Sequence, residues 1–279
     1  MALIQTVKSE RVPAMFYDGG EIDVDWDRHD RAIAWYEAFL GWEVKRKESW
    51  WPDQRVQDGK MTHLGYGTWL NSVLTEQKLP FHFAEKGTVD PNLRWCWRTK
   101  NLQKAHDLFA SNEIRVTDKY TGPDGRQYFD FWEPVEGTRL TAEGDDTSKG
   151  KGFRPSCIRI GVKDLRQAAQ WYAEYVGMVM IENHTEDGYV IMALQETMRP
   201  KEKMFWILEK LPDGASTREC DGPIRPLLLV RNRDAFFTYH RHLKKNDINC
   251  GEFGGFVEKG RVLFHFYDPD GNRLNVCHC

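Results

Sequence analysis

Two stretches of this sequence repeat the same pattern of residues. Residues 32–44 read AIAWYEAFLGWEV, and residues 168–180 read AAQWYAEYVGMVM. The Trp-Tyr pair and a following glycine recur in both stretches, and Trp35 and Trp171 are 136 residues apart. An internal repeat of this kind indicates that a chain is built from copies of one structural unit. The fold must therefore be divisible into similar parts.

The ends of the two copies also resemble each other. FWEPVEGTRL at 131–140 is similar to FYDPDGNRL at 266–274, with one residue inserted. Between the copies lies the polar, glycine-containing segment GDDTSKGKGFRPS, which has no apolar period and is typical of a linker. We therefore predict two domains, one at 1–145 and the other at 155–279.

Each copy contains two shorter units with the same order of elements. EIDVDW at 21–26 alternates polar and apolar residues, as a half-buried strand does. Ala32, Trp35 and Tyr36 then follow the spacing of an apolar helix face, and Gly41 is placed to end that helix. Three more extended segments come next. Because this order occurs four times along the chain, we predict an α+β fold made of four strand–helix–three-strand units.

Composition restricts the classes of function. The chain has 279 residues, a net charge of −3 and no apolar run long enough for a membrane span, so we expect neither a membrane nor a nucleic-acid partner. The six cysteines are widely spread without a CxxC pair, which predicts reduced thiols and a cytoplasmic protein. A tandem repeat can supply within one chain what other proteins obtain by dimerising, so monomer and homodimer both stay open.

Three segments together resemble a known superfamily. VKDLRQAAQWYAEYVG at 162–177, FYDPDGNRL at 266–274 and DRAIAWYEAFLGWEV at 30–44 are similar to the vicinal oxygen chelate superfamily. That superfamily includes glyoxalase I, fosfomycin-resistance enzymes, bleomycin-binding proteins and extradiol dioxygenases. The resemblance implies four βαβββ units that pair into two cupped, incomplete mixed β-barrels with helices outside. It is specific for the fold, which hosts many chemistries.

The resemblance also implies positions for a divalent metal, Zn, Fe, Mn or Ni, in a cup. Counting from the helices and turns places these positions at Glu21, Arg94 and Thr141 in the first copy. Arginine cannot bind a cation, because it stays protonated. Two alternatives remain open. Either Glu21, His63 and Glu143 form the metal site, or Arg94 replaces the metal as an ion-pair partner of Glu21 and no metal binds.

The second copy does not offer a metal site at the corresponding positions. The same counts fall on Cys157, Leu228 and Asn275, of which only the cysteine is a common ligand. We therefore expect the second domain to be degenerate and the functional cup to lie in the first.

Carboxylates and tryptophans are concentrated in the first copy. Glu21, Asp23 and Asp25 share one strand face by alternation and would attract a cation or a basic ligand. We expect the adjacent Trp50 and Trp51 to lie in a loop at the mouth of the cup, where they would line or cover a pocket for an aromatic or apolar molecule.

Other aromatic residues are better placed in the core or at the surface. Trp95 and Trp97 alternate with Arg94 along one strand. The tryptophan side chains therefore point to one face of the sheet and the arginine to the other, so that one set faces the core and the other the cup. His29 and His106 lie at or on helices, where we expect surface positions.

Two functions follow from these residues. In the first, the protein is a glyoxalase- or dioxygenase-like enzyme, a lyase, isomerase or oxygenase. Glu21 is then a metal ligand or general base, and Arg94 binds a substrate oxyanion. Asp23, Thr141 and Trp50 or Trp51 contact the substrate in that arrangement. In the second, the chain is a metal-free protein that sequesters an aromatic or cationic small molecule, as bleomycin-resistance proteins do.

Overall fold

The computed structural model describes residues 12–50, 58–74, 92–148, 152–197, 204–219, 222–256 and 261–279. Within them the chain forms two compact units. One comprises 19–158 with 221–225, and the other comprises the described residues of 1–18, 159–220 and 226–279. None of the helices in these described ranges is long and apolar enough to cross a membrane.

The first half of the chain contains two strand–helix–three-strand repeats. Their elements are β1 (Phe16–Asp23), α1 (His29–Trp35, continued by a π-helical turn at Tyr36–Leu40), β2 (Val44–Trp50), β3 (Asp58–Leu64), β4 (Thr68–Leu74), β5 (Leu93–Thr99), α2 (Leu102–Ser111), β6 (Tyr120–Thr121), β7 (Gln127–Trp132) and β8 (Arg139–Gly144).

The second half repeats this order twice more, with one additional short strand, β12. Its elements are β9 (Arg154–Val162), α3 (Leu165–Trp171, with a π-helical turn at Tyr172–Val176), β10 (Met178–His184), β11 (Tyr189–Leu194), β12 (Glu196–Thr197), β13 (Phe205–Lys210), β14 (Ile224–Leu229), α4 (Arg233–Lys245), β15 (Gly254–Phe256), β16 (Arg261–Tyr267) and β17 (Arg273–His278).

These strands form two curled, mixed sheets of the kind predicted. The nine-stranded sheet has the order β15-β16-β17-β14-β1-β4-β3-β2, with β12 beside β1. The eight-stranded sheet has the order β10-β11-β13-β9-β5-β8-β7-β6. The predicted α+β architecture of four βαβββ units in two incomplete barrels is confirmed. β1 and β5 belong to different sheets, which matters for the predicted site.

The helices begin and end as local sequence dictates. The side chains of Asn101, Asp164 and Asn232 accept backbone N–H groups at the starts of α2, α3 and α4. Gly41 and Gly177 follow the two π-helical turns with φ of 69° and 71°, a left-handed conformation that glycine adopts without strain. The matching glycines explain why the repeat was visible in the sequence.

Tryptophans of the first half pack in the core. Trp95 and Trp97 are 1% and 0% exposed, so the face of β5 from which they project is turned to the core. The ring centroids of Trp97 and Trp42 are 4.1 Å apart, and Trp42 stacks on Tyr36 at 5.0 Å. A Cβ at Gly20 would come within 2.5 Å of the Trp95 ring, so a side chain at this position of β1 would collide with it. Arg94, of opposite parity, therefore points away from β1.

His29 is buried, contrary to the surface position expected from the sequence. Its Nδ1 lies 2.7 Å from Ser72 Oγ and its Nε2 lies 2.8 Å from Thr62 Oγ1. The hydroxyl groups of Ser72 and Thr62 therefore face α1. The His29 imidazole forms hydrogen bonds with both and so connects β3 to β4. Burial, assisted by Lys60, lowers the pKa of His29 from 6.5 to about 4. His106 is half-buried, with Nε2 3.0 Å from the carbonyl of Thr117.

His29 should make stability fall in acid. The unfolded chain takes up a proton near pH 6.5, whereas the folded chain keeps His29 neutral until about pH 4, so stability is lost as pH falls through this range. We expect His29→Gln to reduce the loss of unfolding free energy between these pH values by roughly 1–3 kcal/mol. Urea unfolding of both proteins across the range measures this, and equal losses would contradict the assignment.

Candidate functional site

The site predicted in the first copy begins on β1 and β4. Glu21 and Asp23 lie opposite Trp69 and Asn71 in the parallel register of the two strands. Ser72, the next residue of β4, contacts His29 on the side that carries the helix. Because side chains alternate along a strand, those of Asn71 and Trp69 point to the opposite side of the sheet, together with those of Glu21 and Asp23. We call this the helix-free face of β1–β4.

A buried arginine holds the two carboxylates of this face. Arg225 Nη2 lies 4.0 Å from Glu21 Oε2 and donates a hydrogen bond to Asp23 Oδ1. The side chain of Arg225 is only 2% exposed, and those of Glu21 and Asp23 are 11% and 17% exposed. Charges this far from water need opposite charges nearby. Arg225 supplies that charge from the start of β14.

Two further features complete this face. Asn71 is 2% exposed, and among the described residues none donates a hydrogen bond to its Oδ1. His63 on β3 lies opposite Trp69, and its Nε2 is 2.8 Å from Glu48 Oε1. The face therefore carries two carboxylates, the Asn71 amide oxygen, which is available to accept a hydrogen bond, and the aromatic ring of Trp69.

The predicted row of three carboxylates is only a pair. β1 ends at Asp23, and Asp25 lies beyond it, exposed, with Oδ2 3.6 Å from Arg28 Nη1. The alternation from which the row was predicted stops where the chain turns toward α1.

Arg94 belongs to a second cluster, on β5–β8. Phe129 and Phe131 of β7 contact Phe109 of α2, so Asp130 between them faces the side without a helix. Asp130 is directly opposite Thr141, and Thr141 is also in register with Cys96 of β5. We call this side the helix-free face of β5–β8.

Asp130 is the centre of this second cluster. Thr141 Oγ1 donates to it at 2.7 Å, the Tyr120 hydroxyl at 3.0 Å and Arg139 Nε at 3.1 Å. Arg94 Nη1 lies 3.5 Å from the same carboxylate and donates to the Tyr120 hydroxyl at 3.1 Å. Burial alone would raise the pKa of Asp130, but the two guanidinium groups and these hydrogen bonds outweigh it and lower that pKa.

The structure therefore groups the predicted residues differently from the sequence-based interpretation. Arg94 and Thr141 lie together around Asp130, on a different sheet from Glu21 and Asp23. The sequence left open an ion pair between Arg94 and Glu21 across one cup, whereas the structure has Arg94 beside Asp130 and Glu21 beside Arg225. Counting along the repeats had treated neighbouring repeats as sharing one sheet.

The remaining predicted residues are distributed as follows. Glu143 of β8 is 1% exposed and accepts hydrogen bonds from Arg126 and Ser156. The backbone of Trp50 pairs with Gly59 in β2–β3. Trp51 lies outside the described residues. The roles suggested for the two tryptophans stay predictions.

The residues present do not fit a divalent metal at the predicted positions. A guanidinium group lies beside Glu21 and binds Asp23, and it is a cation that cannot coordinate another. His63 faces Glu48, and Glu143 is bound by Arg126 and Ser156. Over the ranges that the structure describes, no three His, Cys, Asp or Glu residues come together so as to hold a metal ion.

Sequence reasoning missed Arg225 and Asp130. Arg225 is the only charged residue in the otherwise apolar strand IRPLLL, and Asp130 interrupts the aromatic strand QYFDFW. A lone charge in a buried strand predicts a buried partner. That signal could have drawn attention to both residues, although not to their partners.

Arg225 should contribute strongly to stability. Arg225→Met leaves Glu21 and Asp23 buried without their cation, so we expect a loss of about 3–5 kcal/mol in unfolding free energy. Arg28→Met is the matched control, since Arg28 is 53% exposed and its pairs should contribute less than about 1 kcal/mol. Urea unfolding at neutral pH compares them, and equal stability of the two variants would refute the role of Arg225.

Comparison with known proteins supports the fold of the whole chain, and a family model matches part of its second half. Residues 154–276 match the model of the Glyoxalase/Bleomycin resistance protein/Dioxygenase superfamily. No curated protein matches the sequence.

Solved structures resemble the chain over nearly its whole length. Glyoxalase I from Zea mays is 14% identical with a TM-score of 0.63, covering 95% of this chain and 92% of that one. A provisionally assigned dioxygenase from Bacillus subtilis is 11% identical with a TM-score of 0.58, covering 96% and 86%. At such identities the likeness concerns the fold alone. The segment 154–276 is thus similar to the Glyoxalase/Bleomycin resistance protein/Dioxygenase superfamily, and the chain as a whole has the fold seen in glyoxalase I.

Proposed function

We propose that the chain binds a small molecule carrying a cationic nitrogen, without a metal, on the helix-free face of β1–β4. The observation that carries this proposal is the grouping of acceptors on adjacent strands. Glu21, Asp23 and the Asn71 amide oxygen are all hydrogen-bond acceptors, and Arg225 lies beside the two carboxylates. A protonated amine or amidinium donates charge-assisted hydrogen bonds to acceptors of this kind.

The aromatic side chains of the face favour a small organic ligand over a bare ion. Trp69 lies beside Glu21 in the register, and its ring is 5.8 Å from that of His63. Aromatic rings next to a few polar groups are typical of small-molecule sites. A cation over an aromatic ring gains a further favourable interaction.

The enzyme hypothesis has less support from this face. Metal-dependent lyase, isomerase or oxygenase chemistry requires a set of ligands with open positions. Of the residues predicted for that set, Glu21 lies beside Arg225, His63 pairs with Glu48, and Glu143 accepts from Arg126 and Ser156. Sequestration requires only the acceptors and the ring, which are present.

Binding of charged and neutral probes tests the proposal. We expect calorimetric titration of the full chain to detect benzylammonium and benzamidinium, and to detect the neutral benzyl alcohol at least tenfold more weakly. Glu21→Gln should weaken binding of the cations at least tenfold, about 1.4 kcal/mol, because one charge-assisted acceptor is lost. Asp23 still accepts from Arg225 in this variant, so the fold should persist.

The controls separate this function from its alternatives. Asp30→Asn removes the same charge from an 83%-exposed side chain of α1 and should leave the affinity unchanged. Prior dialysis against a chelator should also leave it unchanged. Equal affinity for the neutral probe, or no effect of Glu21→Gln, would overturn the proposal. Stoichiometric Zn, Fe, Mn or Ni in the purified protein, measured by elemental mass spectrometry, would favour the enzyme instead.

A further inference from the structure

We propose that Asn71 makes the helix-free face of β1–β4 selective for a nitrogen that carries hydrogen atoms, a primary ammonium or an amidinium, over a quaternary ammonium. The selectivity rests on the proposed function, because it concerns the ligand of the same face. Carboxylates attract a cation of either kind by charge. The oxygen of a neutral amide instead distinguishes a nitrogen that can donate a hydrogen bond from one that cannot.

Asn71 is the most deeply buried of the three acceptors on this face. The residue is 2% exposed, whereas the side chains of Glu21 and Asp23 are 11% and 17% exposed. No group in the part of the chain that the structure describes donates a hydrogen bond to Asn71 Oδ1. A buried amide oxygen without a donor has lost its hydration with nothing in return, which costs free energy in the unliganded protein. A donor supplied by a ligand removes that cost.

The neighbours of Asn71 explain why its amide oxygen is left in this state. Its directly paired neighbours are Asp23 of β1 and Met61 of β3. Neither an ionised carboxylate nor a thioether has a hydrogen atom to donate. Two positions away along β4, Val73 has no polar side-chain atom, and the Trp69 indole does not donate to Oδ1. A ligand bound on this face would therefore be the one to supply the donor.

The backbone around Asn71 is held in place before a ligand arrives. The Asn71 carbonyl oxygen accepts from Val24 N at 2.9 Å, and Ser72 Oγ donates to the carbonyl oxygen of Val24 at 2.6 Å. The Ser72 hydroxyl also lies 2.7 Å from His29 Nδ1. These bonds attach this part of β4 to the chain that follows β1. The ligand thus meets the amide at a defined position beside Asp23, without a cost for ordering the strand.

The aromatic part of the face would favour the opposite selectivity. Trp69 lies beside Glu21 in the register. Quaternary ammonium groups bind well over aromatic rings, and each added methyl group buries more apolar surface. A preference for the primary cation therefore requires acceptors that its N–H groups reach, and substitution of Asn71 measures how much of that preference the amide provides.

Two probes that differ in methylation test the selectivity in the unmodified protein. We expect calorimetric titration of the full chain to show that benzyltrimethylammonium binds at least tenfold more weakly than benzylammonium, about 1.4 kcal/mol. The probes share one ring and one charge, so the difference reports the replacement of N–H by N-methyl groups. Equal affinity, or tighter binding of the trimethylated probe, would overturn the inference.

Asn71→Leu assigns the preference to the amide. Leucine keeps a branched side chain but has no polar atom. The variant should bind benzylammonium at least tenfold more weakly, with little change for benzyltrimethylammonium, which has no N–H to donate. Asn112→Leu removes an exposed amide at the end of α2 and is the matched control, which should leave both affinities unchanged. Equal weakening of both probes by Asn71→Leu would contradict a role in selectivity.

The unliganded protein offers a second readout that needs no probe. Because Asn71 Oδ1 is buried and receives no hydrogen bond within the described ranges, Asn71→Leu should raise the midpoint of urea unfolding. A lower midpoint would mean that the amide contributes a hydrogen bond to the fold itself, and the premise of the selectivity would be wrong.

Failure of the selectivity can be told from failure of the proposed function. If benzylammonium does not bind, or if Glu21→Gln has no effect on it, the function is wrong and the selectivity falls with it. If Glu21→Gln weakens both cations while the two bind equally well, the face binds cations and Asn71 does not select among them.

Discussion

A charged side chain that leaves water must be matched by an opposite charge, and this requirement organises both helix-free faces. Arg225 is almost fully buried beside Glu21 and Asp23, and Asp130 is almost fully buried between Arg94 and Arg139. Removing one member of such a group leaves the others with the whole cost of desolvation. The central ions, Arg225 and Asp130, therefore determine where the neighbouring side chains can lie.

The two faces have the same arrangement of charged groups, a central ion with two partners of opposite charge, but the signs of the charges are reversed. On β1–β4 one guanidinium lies between two carboxylates, whereas on β5–β8 one carboxylate lies between two guanidinium groups. The backbone plan is the same, strand–helix–three strands in each repeat. The charge of each face therefore depends on a few side chains that point to one side of the strands, while the backbone plan stays the same.

The sequence was sufficient for the architecture because its signals are local. Glycines after the Trp-Tyr helices, capping residues such as Asp164 and alternation along strands each depend on neighbours a few residues away. Repetition of these local signals then revealed four units, and the structure confirms the predicted α+β fold.

The candidate site could not be predicted in the same way because its contacts are distant in sequence. Arg225 and Asp23 are separated by 202 positions, and no local pattern specifies which repeats share a sheet. The sequence identified Glu21, Asp23, Arg94 and Thr141 as residues of interest. It left Glu21 open as a partner of Arg94 and did not identify Asp130, which lies beside Arg94 in the structure.

Arg225 has a consequence for how the protein responds to its surroundings. A cation that is part of the polypeptide has no dissociation equilibrium, cannot be extracted by a competing chelator and cannot be exchanged for a different ion. Its charge is also constant across the physiological pH range, because guanidinium groups do not deprotonate there. The positive charge that Arg225 contributes to this face is thus established once, when the chain folds.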